Sequence, residues 1–135
     1  MKVVKYLFGC VLFLLIVVVG ISLLLPSQVR VERSTEIAAP VQQVFDRVND
    51  LKSWNDWSPW HKKDPDAVYE YSGPETGVGS KSSWISEMDD VGHGSQTITL
   101  SDAFSRIETE LEFEGQGSAN ADWTFEETGA STKVT

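Results

Sequence analysis

Three rhythms of hydrophobic and polar positions follow one another along the chain. From Leu7 to Leu25 there is no alternation at all: nineteen residues carry Ser22 as their single polar side chain. A helix of that length reaches roughly 28 Å, close to the hydrocarbon thickness of a bilayer. This predicts one membrane-spanning helix. The competing reading is a secretory signal, whose apolar region is shorter and ends in a small-x-small cleavage site. Here the run continues through Leu23, Leu24, Leu25 and Pro26, which favours an uncleaved anchor over residues 1–26, followed by a soluble domain over 27–135. Leu7-Phe8-Gly9-Cys10 has the look of a lipoprotein box, but nearly all of the apolar region follows the cysteine instead of preceding it, so lipidation is not expected.

From Val29 the period becomes two. Val29, Val31, Thr35 and Ile37 fall on one face and Arg30, Glu32, Ser34 and Glu36 on the other, which predicts a first strand. Ala39-Pro40 then opens a helix, proline being favoured in the first turn, and Val41, Val44, Phe45, Val48 and Leu51 form one apolar stripe. Trp54, Trp57 and Trp60 recur at intervals of three, broken by Asn55-Asp56 and Ser58-Pro59, as in a short helical turn running into a loop. Two readings of these rings stay open: core packing, for which aromatic area is well suited, or a rim over a ligand cavity.

Six further strands follow by alternation. Ala67, Tyr69 and Tyr71 mark the second, and Gly73 to Gly79 turns the chain into a third with Ser82, Trp84 and Ser86 on one face. Gln96, Ile98 and Leu100 share a face of the fourth. In the fifth, Ile107, Thr109, Leu111 and Phe113 point one way and Glu108, Glu110, Glu112 and Glu114 the other. Ala119, Ala121, Trp123 and Phe125 line the inward side of a sixth, and Ser131 to Thr135 begins a seventh. Short turns between short strands predict an antiparallel meander with one buried face. The helix from Val41 to Leu51 is too short to cover it. Either the sheet curls around a cavity or a covering element lies outside these residues.

Charge narrows the partners. Residues 27–135 carry nine bases against twenty acids, a net charge of −11, and no basic run is longer than Lys62-Lys63. Nucleic acid is excluded as a partner, because phosphate binding needs clustered Lys and Arg. Cys10 is the only cysteine, so no disulfide forms within the chain. Lys2, Lys5 and the amino terminus precede the apolar run and Arg30 and Arg33 follow it, a small positive-inside bias. It predicts a cytoplasmic amino terminus and a soluble domain outside the cytoplasm, periplasmic in a bacterium with two membranes and extracellular otherwise.

Catalytic and metal signatures are weak. His61 and His93 lack zinc spacing, Gly77-Val78-Gly79-Ser80 is better explained as a turn than as a nucleophile elbow, and the glutamate row reads as a solvated face. No metal, cofactor or catalytic residue is assigned. Arg33 falls inward by parity with Val31 and Thr35, where a buried guanidinium would need a carboxylate or ligand, unless it snorkels from the strand end. His61, Asp56 and Tyr71 are polar candidates for a cavity mouth.

Several motifs then fall in a familiar order. Val31 to Pro40, Val44-Phe45, Trp57-Ser58-Pro59-Trp60, Tyr71-Ser72-Gly73-Pro74, Gly77-Val78-Gly79 and Thr132 to Thr135 together resemble the SRPBCC superfamily over about 105 residues. The most similar branch is the one labelled polyketide cyclase/dehydrase, related to START lipid-transfer domains. The resemblance implies an α+β helix-grip fold, START- and Bet v 1-like, in which a curved antiparallel sheet wraps a long carboxy-terminal helix around an apolar cavity. It also implies that this helix lies beyond Thr135. Without it, Ile107, Leu111, Phe113, Ala121, Trp123 and Phe125 are expected to form an exposed patch larger than a monomer tolerates.

The leading expectation is a membrane-anchored module that binds a hydrophobic small molecule or lipid without turning it over. Its cavity wall or rim is assigned to Trp54, Trp57, Trp60, Tyr71, Trp84, Leu111, Phe113, Trp123, Phe125 and Arg33. The alternatives are a cyclase- or dehydratase-like enzyme, for which the inward polar residues Arg33, Thr35, Gln96 and Thr109 supply no base near neutrality, and an interaction module with a vestigial cavity.

Overall fold

The computed structural model describes residues 2–24 and 29–135, with side chains from Tyr6 onward. It divides into two compact units, one ending at Glu32 and one running from Arg33 to Thr135. The first contains helix α1 (Lys2–Leu24). Its stretch Tyr6–Leu24 is long and apolar enough to cross a bilayer, and the same properties fit a signal sequence. Large apolar side chains are exposed along its length, Phe8 and Leu23 among them. A helix that is apolar all round has no wet face to offer. The expected end of the span at Leu25-Pro26, the start of the soluble domain at Ser27, and the side chains of Lys2 and Lys5 lie outside the described residues.

The second unit is an α+β fold built on one antiparallel sheet: β1 (Thr35–Ile37), β2 (Val68–Ser72), β3 (Lys81–Ile85), β4 (His93–Asp102), β5 (Arg106–Phe113), β6 (Gly117–Thr128) and β7 (Ser131–Val134). The order across the sheet is β1-β7-β6-β5-β4-β3-β2. Strands β2 to β7 are therefore the expected meander, and β1 closes on the last strand. The first strand is much shorter than its alternation predicts. Its ladder covers only Thr35↔Val134, Glu36↔Lys133 and Ile37↔Thr132, and Val29 and Val31 are exposed.

Two local features decide which side chains face inward. Between Ile98↔Thr109 and Leu100↔Glu108 the ladder slips by one residue, a bulge at Thr99. Because side chains alternate with a period of two, the slip sends Leu100 to the face of Glu108 and brings Ser101 opposite Ile107. Leu100 thus leaves the face it shares by sequence parity with Gln96 and Ile98. In the β4–β5 turn, Phe104 adopts φ +60°, which is uncommon for a residue with a Cβ. Its ring lies 5.4 Å from that of Phe45, an edge-on contact that offsets the backbone cost.

Helix α2 (Val41–Asn49) supplies the cover, with Pro40 at its N-cap and Val44, Phe45 and Val48 buried. It packs on β6 and β7, and Phe45 meets Phe125 edge-on at 5.4 Å. Leu51, in the following 3₁₀ turn (Leu51–Ser53), completes the stripe. Beneath it Ile98, Ile107, Thr109 and Thr132 are fully buried. Thr132 donates to Ala39 O at 2.8 Å and so ties β7 to the start of α2. The outer face is wet: Glu110, Glu112 and Glu126 are exposed, and Arg106 forks onto Asp122 while also meeting Glu108.

The expected exposed patch is absent from the inner face. Ile107 and Phe125 are buried, and Leu111, Phe113, Ala121 and Trp123 are half-buried. The cover comes from α2 together with the tryptophan segment, whose Trp54 and Trp57 rings add apolar area that the short helix lacks. Ala119 alone of the β6 inward set is exposed, in the part of β6 that pairs with β5 but not with β7.

Since Phe45 joins both Phe104 and Phe125, Phe45→Ala is expected to destabilise the sheet unit by about 3 to 5 kcal/mol, whereas Val68→Ala, at an exposed edge position, should change it by less than about 0.5 kcal/mol. Urea unfolding of the full chain, followed by tryptophan emission, checks both.

Candidate functional site

Two cross-strand rows make the floor of a cavity of about 330 Å³. One row is Ser82, Gln96 and Leu111 on β3, β4 and β5; the other is Trp84, Gly94 and Phe113. Gly94 is required by the second row. A Cβ there would fall 2.5 Å from Glu112 O and closer still to the Trp84 ring, which occupies the space over the glycine. Trp84 also meets Phe113 edge-on at 6.0 Å and donates from Nε1 to Val91 O at 3.4 Å.

The wall opposite comes from the tryptophan segment. Helix α3 (Trp54–Trp57) stops at Ser58, whose ψ of 131° is the extended conformation that a following proline imposes. Pro59 then starts α4 (Pro59–Lys63), capped by Ser58 Oγ accepting from Trp60 N at 3.3 Å. This break sends the rings in different directions. Trp54 and Trp57 lie 4.8 Å apart and both meet Trp123, at 5.6 and 6.3 Å, as an aromatic group packed against the core. Trp54 Nε1 donates to Val48 O at 3.0 Å. Trp60 instead is 58% exposed, on the rim.

The mouth lies between α4 and the β3–β4 loop, and polar contacts hold the two together. Lys63 pairs with Asp90 at 2.5 Å and lies 5.4 Å from the centre of the Trp60 ring. Ser86 Oγ donates to the buried Asp64 at 2.5 Å. The hydrogen bond from Lys63 holds the Asp90 carboxyl below the usual carboxylate range. Inside, burial pushes the Tyr69 phenol up, aided by Tyr71 and Asp64, so it stays a neutral hydroxyl. Among the described residues no three His, Cys, Asp or Glu side chains converge as metal ligands would.

Of the residues assigned from the sequence, Trp54, Trp60, Trp84, Leu111 and Phe113 line this cavity. Five do not. Trp57 and Trp123 pack with Trp54, and Phe125 is core. Tyr71 accepts from Asn55 Nδ2 at 2.7 Å and lines a separate cavity of about 150 Å³ beside Lys52. Arg33 is exposed, because the strand that was to turn it inward begins only at Thr35. His61 does line the cavity, whereas Asp56 is exposed and paired with Arg47.

Sequence reasoning passed over Tyr69, Ser82 and Gln96 as site residues, and the loop from Asp89 to His93. Parity is a usable signal for the first three, since Tyr69 shares a face with Tyr71, Ser82 with Trp84, and Gln96 with the core residue Ile98. The loop carried no signal, being brought to the cavity by Lys63 and Asp64 from a distant part of the chain.

The division of the tryptophans makes Trp57→Ala costly, by about 3 to 5 kcal/mol in urea unfolding, and Trp60→Ala nearly neutral, within about 0.5 kcal/mol. The pH response of the mouth follows from Asp90. A depressed carboxyl contributes its pairing above its unfolded value and loses it as pH falls through the folded one. The latch should therefore hold between pH 5 and 7, by rough count from the ordinary Asp value, and open only in stronger acid. Hydrogen exchange of Asp89 to Gly92 should rise there, and Asp90→Asn should show the raised exchange already at neutral pH.

The match to known proteins agrees with this architecture. Residues 28–135 match the family described as polyketide cyclase/dehydrase and lipid transport. Among solved structures the chain is similar to CalU16 from Micromonospora echinospora, with 19% identity, a TM-score of 0.51, and 75% of this chain and 54% of that one covered. It is also similar to the Aha1 dimer from Colwellia psychrerythraea, at 14% identity and a TM-score of 0.57 over 79% and 72% of the two chains. A protein from Arthrobacter aurescens gives 20% identity and a TM-score of 0.54 over 75% and 62%. The chain thus spans about half the length of the first of these, and at such identities the likeness is one of fold. No curated protein matches the chain. With the sheet, the helical cover and the family match over 108 of its 135 residues, the chain belongs to the polyketide cyclase/dehydrase and lipid transport family.

Proposed function

We propose that the sheet unit is a binding module for a hydrophobic small molecule, held in the cavity between the β3–β5 floor and the tryptophan segment. The observation that carries this is the cavity itself: about 330 Å³, walled by Trp54, Trp60, Tyr69, Trp84 and Phe113. Small-molecule sites are concave, mostly apolar and marked by a few placed polar groups. The family description names lipid transport beside cyclisation and dehydration. Capture without turnover is the reading adopted: the polar residues of the floor, Ser82 and Gln96, are neither acids nor bases at neutral pH, and the ionisable lining residues His61, Asp89, Asp90 and His93 lie on α4 and at the β3–β4 loop.

In the same reading residues 1–26 are an anchor and 27–135 a tethered domain. The apolar helix Tyr6–Leu24 supports the anchor by length and composition. The charges at Lys2 and Lys5 support a cytoplasmic amino terminus and a domain outside the cytoplasm. Tethering suits a module that exchanges an apolar ligand with a membrane, because the ligand then has only a short aqueous path to cross.

The test uses the full chain in lipid nanodiscs and the neutral fluorophore N-phenyl-1-naphthylamine, with protein-free nanodiscs as blank. Saturable binding above the blank is expected. Trp84→Ala should weaken it by about 1 to 3 kcal/mol while unfolding stays cooperative. Binding no greater than the blank removes the proposal.

A further inference from the structure

We infer that the smaller cavity, between the 3₁₀ turn at Lys52 and the turn over residues 73–79, is a second binding site, for a small zwitterion carrying an ammonium and a carboxylate a few bonds apart. This stands independently of the larger cavity's role. The site holds about 150 Å³, the room of roughly five water molecules at about 30 Å³ each in the liquid, which suits a ligand of amino-acid size. Its wall is fixed by backbone. Gly73 at φ +77° and Gly79 at φ +87° fold the turn so tightly that a Cβ on Gly73 would collide with Gly79 O. Gly77 N donates to Asn49 O at 3.2 Å and Gly79 N to Ile98 O at 2.9 Å, which ties the turn to α2 and β4. A wall held in this way needs little ordering when a ligand arrives.

Three side chains give the site its chemistry. Lys52 and Glu75 both line it, and neither forms an ion pair among the described residues, although their charges are opposite. The Lys52 ammonium lies over the wall, 5.9 Å from the centre of the Tyr71 ring. Ser80 lines the cavity while only 4% exposed, and its hydroxyl makes no hydrogen bond among the described residues. Buried hydroxyls are ordinarily paired, so this one has a proton to offer a ligand. Tyr71 accepts from Asn55 Nδ2 at 2.7 Å and keeps its own proton for another acceptor. A simple anion would be drawn to Lys52 and the hydroxyls but repelled by Glu75, and a simple cation would meet the reverse. A zwitterion satisfies both: its carboxylate takes Lys52 and Ser80, and its ammonium takes Glu75.

Three probes of one carbon skeleton separate the charges: L-alanine, propionate, which lacks the ammonium, and ethylammonium, which lacks the carboxylate. Each is titrated into the full chain in phosphatidylcholine nanodiscs, with the NMR shifts of the Lys52, Gly73, Glu75 and Ser80 amides as readout. L-alanine is expected to shift these amides saturably and to bind at least about tenfold more tightly than either other probe. Glu75→Gln should bring propionate within about threefold of L-alanine, and Lys52→Gln should do the same for ethylammonium. Ser80→Ala should weaken L-alanine by about tenfold without lowering the urea midpoint, since the hydroxyl it removes has no partner in the fold. Propionate or ethylammonium binding to the unaltered chain as tightly as L-alanine overturns the zwitterion class, and so does discrimination that survives both charge substitutions. Unchanged L-alanine affinity in Ser80→Ala overturns the role of Ser80. Absence of a saturable shift at these amides overturns the site, while the larger cavity keeps its proposed role.

Discussion

A seven-stranded sheet with one wet face must bury the other, and this chain covers it with a nine-residue helix and a few short helical turns. Everything else in the sheet unit follows from that shortage. Helix α2 reaches β6 and β7, where Phe45, Phe125 and Val134 close the core. The middle of the sheet is left to side chains of unusual size. Trp54 and Trp57, set against Trp123, supply in three rings the apolar area that a longer helix would otherwise bring. Toward β3 and β4 this cover no longer touches the floor, and the gap is the cavity.

Ser58-Pro59 governs how that cover is divided. Had α3 continued, Trp60 would have followed Trp57 round the same helical face and packed inward with it. The proline halts the helix, restarts it in a new direction, and leaves Trp60 at the rim with Lys63 beside it. The same turn carries Lys63 and Asp64 to the β3–β4 loop. One dipeptide therefore separates structural tryptophans from a rim tryptophan and joins the two sides of the mouth.

Polar groups sort themselves by face. The glutamates of β5 stand on the wet face, where solvent and salt screen their mutual repulsion, and two acids of that face share Arg106. The cavity floor offers neutral polar groups, the Ser82 hydroxyl and the Gln96 amide, with the Tyr69 hydroxyl beside them, while Asp89 and Asp90 belong to the β3–β4 loop.

Much of this was legible in the chain. Alternation with a period of two is a local property of the backbone, so the strands of the meander, the inward row Ile107, Thr109, Leu111 and Phe113, and the solvated glutamates could be read directly. The apolar stripe of α2 was equally plain, and the order of motifs carried the family. What parity cannot contain is a slip: the bulge at Thr99 reverses Leu100, and the late start of β1 at Thr35 strands Arg33 outside. Nor can spacing say which of three tryptophans packs and which lines a cavity, since that depends on the direction taken after Ser58. Tertiary structure alone decided the site, because its two sides, floor strands and α4 with the β3–β4 loop, are distant in sequence and meet only when Lys63 finds Asp90 and Asp64 finds Ser86.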